Sequence, residues 1–306
     1  MRTFQGVTSV LLFALAGPLA QAQSRPPITG LAHVGILTSN MAKANEFYGH
    51  VLGFEHFSLD KPGGGLMLNY YKINDHQYIE VYPGLKGDED RLTHVAFVTT
   101  GARELRAYLA SKGVKVPASL KPGLDGNLSF EIIAPGGAAA GRTIEFVQYL
   151  PGSLHEKRFG KLLGPNRISR HMIHAGFVVQ NRADDDRLFR DVLGFQLMWH
   201  GGMRDNQTDW VDMRVPNGTD WIEYMLRVRH PSVRTRGVMD HFSLGVKDIH
   251  AAYRKILARG YKPPHPPQIG RDGKWQLNLY DPDSTRVELM EFKPVRKPCC
   301  SPMLGR

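Results

Sequence analysis

The stretch Ile173-His174-Ala175-Gly176-Phe177 places a histidine in an apolar run. Forty-nine residues after it, Trp221-Ile222-Glu223-Tyr224 places a glutamate in a second apolar run. Imidazole and carboxylate are both ligands of divalent transition metals. The pairing occurs four times, so it indicates a repeated fold and metal chemistry together. The other three pairs are His33 with Glu80, His94 with Glu145, and His241 with Glu288.

The residues after each histidine follow two alternating patterns. In the first and third repeats, an amphipathic stretch of helix length ends in Val-Leu-Gly-Phe, with Gly53 and Gly194 each 20 residues after the histidine. In the second and fourth repeats, Gly113 and Gly260 follow after 19 residues. Glycine is favoured where helices end. The stretches that follow have the length and the alternating or apolar pattern of β-strands. Each repeat is therefore predicted to be a βαβββ module, and the chain an α+β protein.

The predicted organisation has two halves of two modules each. Residues 1–22 have a basic start, an apolar core and an Ala-Gln-Ala cleavage site, as in a secretory signal peptide. We therefore expect a periplasmic or secreted protein. The connector 151–169 is rich in glycine, proline and charge. The predicted segments are a signal peptide at 1–22, a first domain at 28–150, a linker at 151–169, a second domain at 170–294 and a flexible C-terminal tail at 295–306.

Composition is that of a globular protein, with 42% hydrophobic and 22% charged residues. The net charge of +10 comes from scattered Lys and Arg, which favours a solvated basic surface over a nucleic-acid partner. No later apolar stretch is long enough to span a bilayer. The two cysteines, Cys299 and Cys300, are adjacent in the predicted tail, where a functional role is the less favoured interpretation. We expect a small-molecule substrate, no nucleic acid, no stable membrane insertion, and a monomer or homodimer.

The repeated βαβββ pattern resembles the vicinal oxygen chelate superfamily, which includes glyoxalase I, extradiol dioxygenases and the bleomycin and fosfomycin resistance proteins. The resemblance covers about residues 28–294. It is carried by His33 with residues 44–54, by His174 with residues 183–195, and by Asp281-Pro282-Asp283-Ser284 ahead of Glu288. It implies two glyoxalase-like domains with incomplete barrel-like sheets. Modules 1 and 2 would pair, and 3 with 4, although pairing 1 with 4 and 2 with 3 stays open.

In such a domain, the first and last strands of each module would line one concave face. Two imidazoles and two carboxylates suit Zn, Ni, Mn, Co or Fe(II), and leave two octahedral positions for water or substrate oxygens. A lone histidine on a strand is more often a half-buried residue than a ligand, but eight positions in register favour metal binding. The other histidines are predicted to lie mostly on the surface. The implied quartets are His33, Glu80, His94 and Glu145 in the first half, and His174, Glu223, His241 and Glu288 in the second.

The resemblance leaves three functions open. A His-Glu-His-Glu quartet resembles glyoxalase I and implies an exported lyase or isomerase, which acts on a small vicinal-oxygen substrate through a metal-chelated enediolate. Glu288 or Glu145 would be the catalytic base. His174, His241 and Glu288 also match the iron triad of extradiol dioxygenases, with Tyr280 near the place of a family tyrosine. There, however, Glu223 takes the place of a catalytic histidine.

The third possibility is a ligand-binding protein of the resistance type that needs no metal. The aligned carboxylates argue against it. In the second module, residues 134–138 (Ala-Pro-Gly-Gly-Ala) replace the Asp-Pro loop found ahead of Glu288. The first half is therefore interpreted as the weaker or purely structural site.

Overall fold

The structure is a computed structural model, which describes residues 24–304 except 88, 138–140 and 229. The signal peptide predicted at residues 1–22 lies outside this part of the chain, so its cleavage stays a prediction. Among the described residues, no helix has both the length and the apolar character needed to cross a membrane.

The first half forms a mixed seven-stranded sheet in the order β2-β3-β4-β1-β5-β7-β6. Its central pair, β1 and β5, is antiparallel, and each of these strands has a parallel outer neighbour, β4 or β7. The strands are β1 (Ile28–Thr38), β2 (His56–Asp60), β3 (Leu66–Lys72), β4 (Tyr78–Pro83), β5 (Leu92–Thr99), β6 (Leu128–Ala134) and β7 (Arg142–Gln148).

The second half repeats this arrangement in a sheet of order β13-β14-β15-β12-β8-β11-β10-β9. The antiparallel pair β8 and β12 is central, with β11 and β15 as its parallel neighbours. The strands are β8 (Met172–Val178), β9 (Gln196–Gly201), β10 (Trp210–Arg214), β11 (Trp221–Met225), β12 (His241–Val246), β13 (Gln268–Ile269), β14 (Trp275–Tyr280) and β15 (Arg286–Glu291).

The strand order answers the open question of module pairing, because the first strands of modules 1 and 2 are neighbours, as are those of modules 3 and 4. The predicted α+β class and incomplete barrel-like sheets are confirmed. In the second module, the described residues between α2 and β6 form no strand of their own, so this module has one strand fewer than βαβββ.

Helices follow the first strand of every module. An asparagine or aspartate side chain caps three of them: Asn40 accepts from Lys43 N, Asn181 from Ala183 N, and Asp248 from Ala251 N. The helices are α1 (Met41–Ala44), continued by a π-helical stretch (Asn45–Val51), α2 (Ala102–Ser111), α3 (Arg182–Asp186), continued by a π-helical stretch (Arg187–Val192), α4 (Val233–Met239) and α5 (Ile249–Ala258).

One large apolar core joins the two halves. Phe97 of the first half contacts Phe195 of the second edge to face, with ring centroids 5.3 Å apart. Burial of this apolar surface favours a fixed arrangement of the two halves.

Two loops in equivalent positions dock each half onto the other. Ahead of β15, Asp283 accepts hydrogen bonds from Thr38 Oγ1 at 2.6 Å and from Ser39 N at 3.0 Å. Ahead of β7, Gly136 N donates to Asp185 Oδ1 at 2.8 Å. Both loops therefore belong to the joint between the halves.

The C-terminal segment differs from the flexible tail predicted for residues 295–306. Trp199 Nε1 donates to Cys299 O at 3.1 Å, Ser301 Oγ accepts from His200 N at 3.0 Å, and Leu304 N donates to Met198 O at 2.7 Å. Cys299 and Cys300 are joined by a disulfide. The segment packs along β9 because its backbone groups and the Ser301 hydroxyl form hydrogen bonds with that strand.

Candidate metal centres

The second-half quartet lies on the four central strands of its sheet. His174 and His241 lie on the antiparallel strands β8 and β12, and Glu223 and Glu288 lie on their parallel neighbours, β11 and β15. Side chains alternate between the faces of a strand, and the register brings these four onto the concave face. The structure therefore brings all four side chains to one face, and the ligand atoms of His174, Glu223 and His241 lie within 4.8 Å of one another.

A glycine makes room for one of the histidines. Gly176 is the register partner of His241, and a Cβ atom at position 176 would clash with Cε1 of the His241 ring. Gly35 has the same relation to His94 in the first half. Only a residue without a side chain lets the imidazole fold across the neighbouring strand.

The distances in the second quartet match those around a single ion. His174 Nε2 lies 3.1 Å from His241 Nε2 and 3.3 Å from Glu288 Oε2, and His241 Nε2 lies 3.3 Å from Glu223 Oε2. Metal bonds of about 2.0–2.2 Å place neighbouring ligand atoms about 2.8–3.6 Å apart. The donor set and its spacing therefore fit a divalent transition metal.

Hydrogen bonding and burial favour the ligand form of both second-half histidines. His241 Nδ1 donates to Met239 O at 2.7 Å, so the lone pair of this ring lies on Nε2, which faces His174 Nε2. Burial lowers the pKa of His174 and of His241 well below the usual value. Burial also raises the pKa of Glu288 to about 8, against the opposing effect of Arg286. The two imidazoles are thus neutral, as metal binding requires.

The first-half quartet has the same arrangement. His33 Nε2 lies 3.0 Å from Glu145 Oε2 and 3.4 Å from Glu80 Oε1. His94 Nε2 lies 3.4 Å from Glu145 Oε2 and 3.7 Å from Glu80 Oε2. This His94 atom is buried and has no hydrogen-bond partner, so its lone pair is free for an ion. The four predicted ligands again fit a metal.

Charge is distributed differently in the first half. Burial opposes protonation of His33, but Glu80 and Glu145 outweigh it and raise the pKa of His33 to about 9. Burial favours the neutral form of Glu145, yet His33 lowers the pKa of that carboxyl to about 2. Burial and the nearby His33 lower the pKa of His94 to about 4. A protonated His33 therefore holds an ion pair that a metal would have to displace.

The two quartets open onto cavities of different size. The cavity beside the second quartet has a volume of about 360 Å³, and the one beside the first has about 130 Å³. Trp199, Trp210 and Trp221 line the larger cavity, together with Glu223 and Glu288. The smaller cavity is closed partly by Asp125 and His155. The second site therefore has more room for a substrate.

Asp212 and Arg286 are among the polar residues of the larger cavity that the sequence did not reveal. Asp212 faces Glu223 across the strand pair β10–β11, and burial, followed by the nearby Glu223, raises its pKa well above the usual value. Arg286 precedes Glu288 by two residues and lines the same cavity. Strand periodicity could have identified Arg286, because residues two apart on a strand share a face.

Two further expectations are corrected by the structure. Tyr280 lines a different cavity, beside Tyr261 and Asp281, and is not among the residues around the second quartet. Asp281 accepts a hydrogen bond from Tyr48 at 2.9 Å, so the Asp-Pro loop belongs to the joint, and its presence does not rank the metal sites. Most of the histidines outside the quartets are exposed, as predicted, and His155 is an exception, because it is only 2% exposed and packs against tyrosine rings.

Residues 171–289 match the model of the Glyoxalase/Bleomycin resistance protein/Dioxygenase superfamily. This segment contains the whole second quartet, from His174 to Glu288. The second half of the chain therefore contains a domain of this superfamily. The resemblance of the repeats to this group is thereby confirmed. No curated protein is a significant match to the sequence.

Several solved structures of the superfamily share the fold. The Mn(II)-bound glyoxalase from Novosphingobium aromaticivorans is 17% identical with a TM-score of 0.65, over 87% of this chain and 83% of its own. The 2,3-dioxygenase LapB from Pseudomonas sp. KL28 is 15% identical with a TM-score of 0.65, over 90% and 97%. An extradiol ring-cleaving dioxygenase from B. fuscum is 17% identical with a TM-score of 0.63, over 93% and 76%. At such identities the likeness concerns the fold.

Proposed function

We propose that the chain is a metal-dependent lyase or isomerase that reacts at the second quartet with a small substrate bearing two neighbouring oxygens. One observation carries the proposal. Glu223 Oε2 lies 3.3 Å from His241 Nε2, so a carboxylate completes the quartet at the position where a dioxygenase would place a free histidine. Zn, Ni, Mn, Co and Fe(II) all suit this donor set.

The remaining groups of the larger cavity support proton transfer by carboxylates. Among the described residues that line it, His174 is the sole histidine, and there is no tyrosine. The carboxylates that line it are Asp212, Glu223, Asp272 and Glu288. A reaction that needs a separate imidazole or phenol therefore has less support than one that needs a carboxylate base.

The proposed reaction uses the metal ligands, Glu288 as the base and two tryptophans of the cavity wall. A divalent ion held by the quartet would polarise a substrate carbonyl. Glu288 removes the proton from the hydroxyl-bearing carbon and returns it to the neighbouring carbonyl carbon, while the hydroxyl proton passes to the carbonyl oxygen. Trp199 and Trp221 line the cavity beside these groups, where their rings would keep water from the reacting atoms. The first quartet, with its small cavity, would hold a metal as a structural element.

The test is exchange of the substrate proton with solvent. The protein is loaded separately with Zn, Ni, Mn or anaerobic Fe(II), and 2-hydroxyacetophenone and hydroxyacetone are followed by proton NMR in D₂O. Deuterium should enter the carbon beside the carbonyl faster than with the metal alone. Loss of a general base typically slows such a step by about 10²- to 10⁴-fold, and we expect this for Glu288→Gln.

Glu145→Gln is the matched control, because Glu145 is the equivalent carboxylate of the first quartet. It should leave exchange within about twofold of the wild type, since we place the reaction at the second site. Exchange that depends on Glu145 and not on Glu288 would reject this assignment of the reaction site. Absence of exchange with every metal would reject the isomerase.

Ring cleavage by Fe(II) is the second candidate, favoured by the register of His174, His241 and Glu288 and by the shared fold of the dioxygenases above. Oxygen consumption with catechols by the Fe(II)-loaded protein, without solvent exchange, would establish this function instead. Saturable ligand binding without metal would point to a resistance-type binder.

Export of the protein is also proposed, from the signal-peptide pattern of residues 1–22. Since reduced cytoplasmic thiol cofactors are scarce outside the cell interior, the substrate is expected to be a free oxygenated compound.

A further inference from the structure

Arg286 lies beside the second quartet on the strand that carries Glu288. It pairs in register with His241 and lines the cavity of about 360 Å³. Its side chain is half-buried. The guanidinium therefore borders the space that a substrate would occupy.

This guanidinium lacks a protein partner. Among the residues that the structure describes, none forms a hydrogen bond or an ion pair with Arg286, and its Nε is buried and unpaired. The other cations near the cavity are matched: Lys274 Nζ lies 3.4 Å from Asp272, and Arg271 pairs with Asp205. Burying part of a cation without a counter-ion is costly, so an anionic ligand would relieve the cost.

The first half lacks this feature. The residue paired in register with His94 is Thr143, in the position that Arg286 occupies beside His241. The eight proposed ligands match between the halves, whereas this flanking position changes from a neutral hydroxyl to a cation. The difference occurs at the site with the larger cavity.

The unpaired cation defines the ligand. Lys274 and Arg271 have acidic partners, whereas Arg286 has none, so its guanidinium is left to bind an anionic group of the ligand. Resting on the reaction site proposed above, we propose that Arg286 binds a carboxylate of the substrate, which is a monoanionic aromatic compound with two neighbouring oxygens. A guanidinium matches a carboxylate in both charge and shape.

The tryptophans of the cavity wall are the reason for proposing an aromatic ligand. Trp199, Trp210 and Trp221 offer ring faces and edges to a flat apolar body. Trp221 is 7% exposed, and its Nε1 is buried with no hydrogen-bond partner. An oxygen of the ligand would satisfy this donor.

The test compares 3,4-dihydroxybenzoate with 3,4-dihydroxybenzamide, which share the neighbouring oxygens and differ in charge. Binding to the Zn-loaded protein is measured by calorimetry and by tryptophan fluorescence, so turnover is not required. The wild type should bind the benzoate at least about tenfold more tightly. Arg286→Gln should remove most of this preference, since hydrogen bonds to a charged group are worth about ten- to a hundredfold in affinity.

Controls separate recognition from folding. Arg286→Lys should keep part of the preference, and Arg254→Gln, on the exposed side of α5, should keep all of it. The inference is overturned if Arg286→Gln weakens both ligands equally, if the wild type shows no preference, or if neither ligand binds. Benzoate preference without proton exchange would support the inference and reject the proposed reaction.

Discussion

Gln77 and Asp220 occupy equivalent positions in the two halves and meet each other, with Gln77 Nε2 donating to Asp220 Oδ2 at 3.2 Å. Each lies three residues before a glutamate of its quartet. Gln77 also accepts from Met172 N at 2.8 Å, and Asp220 accepts from Leu31 N at 2.8 Å. Those backbone groups lie two residues before a quartet histidine of the opposite half. The glutamate strand of each half is thus tied to the histidine strand of the other.

We expect Asp220→Ala to destabilise the whole protein, because four donors lose an acceptor. They are Leu31 N, Gln77 Nε2, His171 Nε2 and Thr219 Oγ1. Buried donors left unpaired cost about 1–3 kcal/mol each, and partial relaxation should leave a total of about 3 kcal/mol. Urea unfolding measures the change. Asp60→Ala, at the exposed end of β2, should stay within about 0.5 kcal/mol. Equal stability of the two variants would contradict the proposed cross-link.

We expect Gly176→Ala to weaken metal binding at the second quartet alone. The added Cβ would displace the His241 ring, which is fully buried and cannot move away freely. Loss of ligand orientation typically costs about 10- to 100-fold in metal affinity. Competition with a chromophoric chelator measures it. Gly35→Ala should affect the first quartet alone, and a variant that weakens both sites, or neither, would show that the glycine has another role.

Asp185 gives a pH dependence of stability at the joint. Burial raises its pKa from 3.8 to about 7, so the folded protein keeps a proton that the unfolded chain releases. Stability from this group is therefore greatest below about pH 4 and falls as pH rises to about 7. Asp185→Asn keeps the acceptor for Gly136 N and removes the charge. Relative to the wild type, it should be more stable at pH 8 than at pH 5, by up to about 3 kcal/mol.

Urea unfolding at pH 5, 6.5 and 8 checks this difference, with Asp60→Asn as the exposed control. A difference between Asp185→Asn and the wild type that is constant across these pH values would mean that Asp185 is charged in the folded protein.

Export predicts a shortened chain. Expression of the full sequence in a Gram-negative host should yield a periplasmic protein that starts at Gln23, which intact mass spectrometry reads directly. Replacement of Ala20 and Ala22 by bulky residues should retain the precursor. A cytoplasmic product with its first 22 residues intact would reject the signal peptide.

The metal quartets could be predicted from the sequence because strand periodicity and duplication place equivalent residues on equivalent faces. His33 and His174, for example, occupy equivalent positions in the two halves, so the ligands predicted around one of them are also predicted around the other. The role of Asp281 could not be predicted, because a loop beside a ligand strand can face either the site or the opposite half. Its hydrogen bond with Tyr48 joins residues 233 positions apart, and no local pattern records such a contact.

Arg286 illustrates a second limit of prediction from the sequence. Its face follows from its spacing to Glu288, but its lack of a partner depends on the side chains around it, which come from several strands. The tail shows the same dependence, since Ser301 finds its partner His200 across 101 residues.

The most direct test of the central claim is metal content. The mature protein is exposed to Zn, Ni, Mn or anaerobic Fe(II), freed of unbound ion and analysed by mass spectrometry of the elements, alongside His241→Ala and Glu288→Ala. We predict tight metal binding in the wild type and about one ion fewer per chain in each variant. A wild-type protein without metal, or variants that keep the same amount as the wild type, would contradict a metal reaction site at the second quartet.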